Sequence, residues 1–181
     1  MVNIRLTALK YCLEYAAVNI SEPHGQNDGA QVNKFQRLLG LREGNAQTTG
    51  DPWCVAMHVF AIAKAMATRI GHGYDLADLA VALDAAVAEQ YIARSGSCTE
   101  EMNWAKPKGL WIPKTSLGSV KPGYAVVYDW DNPNTRDNRH WGVIESVKDG
   151  SINTVEGNFG NKVARHTRTL EDVLGFIVIK D

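Results

Sequence analysis

Gly50-Asp51-Pro52-Trp53-Cys54-Val55-Ala56-Met57-His58 is the stretch of this chain whose residue types and spacing point most directly to chemistry. It reads as a helix start: Asp51 can cap free backbone N–H groups, and Pro52 sits where a first turn tolerates proline. Cys54 then falls in the first turn, where the positive end of the helix dipole favours thiolate over thiol. A thiolate so placed is a nucleophile. The plainer alternative is a small buried hydrophobe, the usual fate of free cysteine.

A cysteine nucleophile needs a base within hydrogen-bond reach, and the base needs an orienting group. Five histidines are available. His24 and His72 lie in glycine-flanked segments and His166 in a basic one, so solvated surface is expected for each. His58 follows Cys54 by one helical turn and could touch it, yet a packed or rim residue is the better reading. No third residue at ligand spacing completes a metal site with Cys54 and His58, so no metal is expected. His140 is the stronger base. It enters a strand directly after a polar segment, in Arg139-His140-Trp141-Gly142.

The segment after it returns through Lys148-Asp149-Gly150 to Thr154-Val155-Glu156-Gly157-Asn158. A three-residue hairpin with Gly150 in the left-handed position sets Val147 opposite Ser151, Gly142 opposite Glu156 and His140 opposite Asn158. His140, Glu156 and Asn158 then share one face. A two-residue loop would slip the register and send Glu156 to the other face. An ordinary hairpin with a polar frayed end fits the same residues.

The elements that must position these groups divide the chain in two. Ile4 to Ala17 has helical periodicity, with Leu6, Leu9, Leu13 and Ala16 along one side. Ser21 to Gly29 is turn chemistry. A short helix marked by Val32, Phe35, Leu38 and Leu39 ends at Gly40, and Leu41 to Gly50 is a polar loop. The Cys54 helix runs to about Ile70, with Val55, Val59, Ile62 and Met66 inward. After Gly71-His72-Gly73, Asp75 caps a helix carrying Leu76, Leu79, Leu83 and Val87. Ser95 to Ser119 reads as irregular. From Tyr124 the period changes to that of strands: Tyr124 to Trp130, Trp141 to Val147, Ile152 to Val155, Asn161 to Thr167 and Leu174 to Ile179. A polar loop is expected over 131–139. Helices first and antiparallel strands after predict one α+β domain spanning residues 1–181, the helices packed on one sheet.

Bulk properties narrow the function. At 181 residues, 45% hydrophobic and 22% charged, the chain can bury a substantial core. A net charge of −1 gives no steering toward nucleic acid. No run is long enough for a membrane span, and the start lacks a signal-peptide layout, so synthesis in the cytoplasm without membrane insertion is expected. Cys12, Cys54 and Cys98 are too few for a disulfide framework and are expected as thiols, a Cys12–Cys98 bridge being the one alternative.

Taken together, the ordered markers resemble the CHAP domains, the cysteine- and histidine-dependent amidohydrolases and peptidases of bacterial peptidoglycan. The markers are Asn27-Asp28-Gly29 with Val32, Pro52-Trp53-Cys54, Pro122-Gly123, His140 with Gly142, Glu156-Gly157-Asn158 and Gly175-Phe176-Ile177. Their order and spacing carry the resemblance, which covers most of the chain. Two positions depart from it: Tyr124 stands where an acidic residue is usual, and Trp141 where a smaller aliphatic one is.

The resemblance implies a papain-like fold, with Cys54 as nucleophile, His140 as base and Glu156 or Asn158 orienting the imidazole. It implies cleavage of an amide in the stem peptide or cross-bridge of peptidoglycan, without cofactor, by a chain expected to be a monomer. Trp53, Trp111 and Trp141 would offer flat surfaces to that substrate. The backbone N–H of Cys54 would receive the oxyanion, with Gln47 a candidate second donor. A phage lysin, or an antibacterial effector delivered by a secretion system, fits these features and would act at the cell wall. A non-catalytic wall-binding or structural module, and a cytosolic cysteine protease or deamidase, are the rival readings.

Overall fold

Asn3 starts the fold by capping α1 (Ile4–Ala17), its side chain accepting the Leu6 N–H. The computed structural model describes residues 2–130 and 139–181. After α1 come α2 (Ala30–Leu38), α3 (Cys54–Ile70), α4 (Leu76–Ala88) and α5 (Cys98–Ala105). Asp75 caps α4 as expected, accepting the Asp78 N–H, and left-handed Gly71 ends α3. Asp51 does not cap α3. Its carboxylate instead accepts the backbone N–H and guanidinium of Arg42, and the helix begins at Cys54 with Trp53 as its cap residue.

α3 is the centre of the molecule. Every residue from Cys54 to Ala63 is buried, because α1, α2, α4 and the sheet surround the helix. The one-sided apolar stripe expected from sequence is therefore too narrow. Alanines at 56, 61, 63, 65 and 67 let neighbouring elements approach on all sides.

The second half forms β1 (Trp111–Pro113), β2 (Ala125–Asp129), β3 (Arg139–Lys148), β4 (Ser151–Glu156), β5 (Ala164–Arg168) and β6 (Val173–Ile177). They make one antiparallel sheet in the order β1-β6-β2-β3-β4-β5. The chain is thus α+β, helices against a six-stranded antiparallel sheet. Ser95 to Ser119 is more ordered than its sequence suggests, since it holds α5, β1 and short 3-10 turns at Lys106–Lys108 and Lys114–Ser119. The polar loop expected over 131–139 lies outside the described residues, apart from Arg139.

The β3–β4 turn departs from expectation in an instructive way. Asp149 and Gly150 both have positive φ, 51° and 78°, which makes a two-residue turn that pairs Lys148 with Ser151. Continued unbroken, that register would put Glu156 on the wrong face. A bulge between Ile144 and Ser146 leaves Glu145 unpaired and restores the pairing of Gly142 with Glu156. β4 ends at Glu156, so Asn158 never pairs with His140.

The edge of the sheet is closed by tight packing at Gly175, opposite Pro113. A Cβ there would strike the Trp111 ring and lie 2.7 Å from the Ile112 carbonyl oxygen. Gly175→Ala should therefore lower stability by about 1–3 kcal/mol, the usual cost of overpacking. Urea denaturation checks this; a wild-type midpoint would mean that the Trp111 ring yields freely.

Candidate active site

Two loops lock the start of α3, and with it Cys54. Glu22 accepts the Trp53 indole N–H at 2.8 Å and the Asn27 backbone N–H at 2.8 Å. Gln36, fully buried on α2, donates to the carbonyls of Asn27 and Asp51. Gly44 and Gly50 run so close to residues 26–27 that a Cβ on either would meet backbone atoms. The cysteine therefore stands on a fixed base.

On the sheet, His140 occupies the second residue of β3, opposite Tyr128 of β2. Its Nε2 lies 3.1 Å from Glu156 Oε2, which leaves Nδ1 as the ring nitrogen for the cysteine. Trp130 stacks on the imidazole with ring centres 4.6 Å apart, and Phe159 packs beside it. Both rings limit rotation of the histidine.

Glu156 is buried completely, and its carboxylate is saturated. Arg168 donates through Nε at 3.0 Å and Nη2 at 2.7 Å, Thr154 at 2.6 Å and Tyr128 at 3.3 Å, besides the contact with His140. Burial raises the carboxyl's pKa. The bonds from His140, Arg168 and Thr154 outweigh that and hold it at about 2.

Cys54 and His140 lie close enough that each shifts the other's ionisation. The Cys54 thiol is held well below its ordinary value, first by a hydrogen bond from Cys98, then by His140 and the Val55 N–H, against the opposing effect of burial. Burial works against a charged His140, but Cys54 and Glu156 more than offset it and raise the ring to about 9. The two shifts act in the same sense, favouring thiolate on Cys54 and imidazolium on His140. That is an activated nucleophile with its proton donor in place.

The remaining histidines divide as follows. His58 is fully buried, as the packed reading anticipates. Its Nδ1 accepts the Trp141 indole N–H at 3.2 Å, and burial drives its pKa down to about 3. A neutral ring so occupied is no base for Cys54. His24 and His72 are exposed as expected, His24 pairing with the buried Asp28 and His72 with Asp78. His166 departs from the expected solvated position: it is half-buried, packed edge-on against Phe159.

Two of the three tryptophan surfaces, Trp53 and Trp141, are corrected by the structure. Trp53 and Trp141 have no exposed area, and each indole N–H is satisfied inside the protein, so neither can face a substrate. Trp111 lies on edge strand β1, separated from β3 by β6 and β2, and packs on Gly175. Gln47 is exposed and its backbone N–H is turned onto Asn45. Asn158 sits beyond the strand end with φ of 60°, and Glu156 is the group that touches the imidazole.

Sequence reasoning missed Arg168, Thr154 and Tyr128 around Glu156, and Cys98 beside Cys54. The alternation of Thr154 and Glu156 along β4 is a signal for the first group, since both lie on one face. Cys98 has none, because only the folded path of residues 71–97 brings it to Cys54. A cavity of about 370 Å³ opens there, lined by Leu41, Asp51, Pro52, Cys54, Cys98 and Arg139 among others. Among the described residues no group of three or more His, Cys, Asp or Glu is placed to hold a metal ion, and no helix is long and apolar enough to cross a membrane. Compared with known proteins, the chain matches no family model, no curated protein and no solved structure.

Two measurements test the ionisation of this site. Alkylation of Cys54 by iodoacetamide should stay fast well below pH 9, and His140→Ala should move the rate's pH dependence upward by at least about one unit as the imidazolium is lost. A profile unchanged by His140→Ala would detach the histidine from the thiolate. Separately, the His140 ring should titrate near pH 9 by proton NMR in the wild type and at lower pH in Glu156→Gln. Removing the carboxylate's charge withdraws support from the imidazolium, so an unshifted or raised titration would contradict the assignment.

Proposed function

We propose that this chain is a papain-like cysteine amidase or endopeptidase of the CHAP kind, acting on the peptide part of bacterial peptidoglycan. The observation that carries the reading is the Cys54–His140–Glu156 arrangement: a cysteine at the start of a buried helix, a histidine beside it whose ionisation it shifts, and an anchored carboxylate behind the ring. The ordered sequence markers supply the peptidoglycan specificity of the proposal. A cavity beside Cys54 lined by acidic Asp51 and Glu100 and by basic Arg139 suits a stem peptide, which bears charges of both signs.

In this reading the Cys54 thiolate attacks the amide carbonyl carbon, forming the C–S bond and moving the π electrons to oxygen. The Cys54 backbone N–H, free at the helix start, stabilises that oxyanion. His140 passes its Nδ1 proton to the nitrogen, the C–N bond breaks, and the amine leaves a thioester. Neutral His140 then takes a proton from water as its oxygen attacks the thioester. Collapse expels the thiolate, restores the imidazolium and releases the acid. Glu156 stays ionised throughout and holds the ring's tautomer.

A phage lysin or a delivered antibacterial effector would place such an enzyme at the wall. Purified protein incubated with peptidoglycan should release new amino groups and no new reducing sugar ends, with activity surviving EDTA. Cys54→Ala should lose at least about a thousandfold, the scale seen when a nucleophile is removed. New reducing ends from wild-type protein would replace amide cleavage with glycoside cleavage, which calls for a pair of carboxylates instead.

A further inference from the structure

The acyl-transfer chemistry above uses one cysteine, yet the site holds two. Cys98 Sγ lies 3.9 Å from Cys54 Sγ. Each sulfur belongs to the first residue of a helix, Cys54 in α3 and Cys98 in α5, and both line the 370 Å³ cavity. Small oxidants in that cavity therefore meet both sulfurs. Cys12 differs: it is fully buried in α1, and burial pushes its thiol upward.

We propose that Cys54 and Cys98 form an oxidation site for hydroperoxides, in which Cys54 takes the oxygen and Cys98 resolves the product as a disulfide. The Cys54 thiolate attacks one oxygen of the peroxide, the S–O bond forms and the O–O bond breaks. The departing alkoxide or hydroxide takes the His140 proton and leaves as alcohol or water. Cys54 is now a sulfenic acid. The Cys98 sulfur attacks it, the S–S bond forms, the S–O bond breaks, and the hydroxide leaves with the Cys98 proton as water. Two thiols and one hydroperoxide give one disulfide, one alcohol and one water, the sulfurs losing two electrons in all.

Closure brings the sulfurs from 3.9 Å to about 2.05 Å, a shift smaller than the length of one side chain. The disulfide ties up the nucleophile, so hydrolysis stops until a dithiol reductant exchanges it away. It also spares Cys54 the irreversible sulfinic and sulfonic acids. The loss of hydrolysis rests on the function proposed above; formation of the disulfide does not.

The test treats the full chain with a small excess of hydrogen peroxide and follows it by intact mass and peptide mapping. The wild type should become lighter by two hydrogens, yield a Cys54–Cys98 linked peptide, and lose roughly tenfold or more of its Cys54 alkylation, all reversed by dithiothreitol. Cys12→Ser should behave identically. Cys98→Ser should instead gain oxygen atoms at Cys54 and fail to recover with reductant. Cys98→Ala provides a second variant, each checked for folding by circular dichroism. Should neither variant fold, the wild-type peptide map alone decides the matter. A wild type that gains oxygen without forming the linked peptide, or that cross-links between chains or through Cys12, overturns the proposal. A linked peptide in a protein that never cleaves peptidoglycan would leave the oxidation site standing and remove the enzymatic reading alone.

Discussion

The buried carboxylate of Glu156 is the constraint on which this structure turns. A charge without solvent contact is tolerated only when every lone pair finds a donor, and here Arg168, Thr154, Tyr128 and His140 supply them. Those donors come from β2, β3, β4 and β5, four neighbouring strands of the sheet. The sheet must therefore hold a single register across all four, because a slip of one residue turns a side chain to the other face. The bulge at Glu145 is the device that reconciles this demand with the tight turn at Asp149-Gly150. Glu145 is itself tied to Arg165 on β5, which gives the bulged residue a partner in place of the strand pairing it forgoes.

Cys54 is held by different means. It belongs to the helical half, and its position depends on the loops around residues 22–28 and 41–53, stitched by Glu22, Gln36 and Trp53. Trp141 joins the two halves. It follows His140 along β3, so its side chain points to the other face, where the indole bonds to His58 one turn beyond Cys54. The strand bearing the histidine and the helix bearing the cysteine are thus fastened together beside the reactive pair. The bulky tryptophan that departs from the usual pattern of the resembled family acts here as a structural bolt.

Much of this was legible from residue pattern. The boundaries of α1 and the end of α3, the Asp75 cap and the five later strands all follow from local periodicity and turn chemistry. His140 and Glu156 share a face as the sequence leads one to expect, although a two-residue turn plus a bulge achieves it where a three-residue turn was expected. What escaped the sequence is long-range. β1 is three residues of Trp-Ile-Pro with no strand signature, formed only because β6 offers it an edge. Trp53 and Trp141 look like binding surfaces until the packing shows them filled and hydrogen-bonded. Arg168 and Cys98 carry no local mark of their roles, since their partners lie 12 and 44 residues away along the chain.

The charges of the site also bear on the order of events in the proposed reaction. At rest the cluster is balanced: the Cys54 thiolate and Glu156 carboxylate face the His140 imidazolium and Arg168 guanidinium. Attack on a carbonyl carries the thiolate's negative charge onto the oxygen, away from the imidazole. In the tetrahedral intermediate the sulfur is uncharged, while Arg168 still draws on the same carboxylate that supports the ring. The imidazolium is then one of two cations on a single anion, and its proton becomes easier to release. Formation of the tetrahedral intermediate thus acidifies the group that must protonate the departing amine. Release of the amine leaves His140 neutral, the form needed to accept a proton from water. Restoring the thiolate afterwards raises the ring's affinity for a proton again. The carboxylate shared between Arg168 and His140 therefore does more than orient the ring, because it lets the charge on sulfur set the histidine's affinity for its proton at each step.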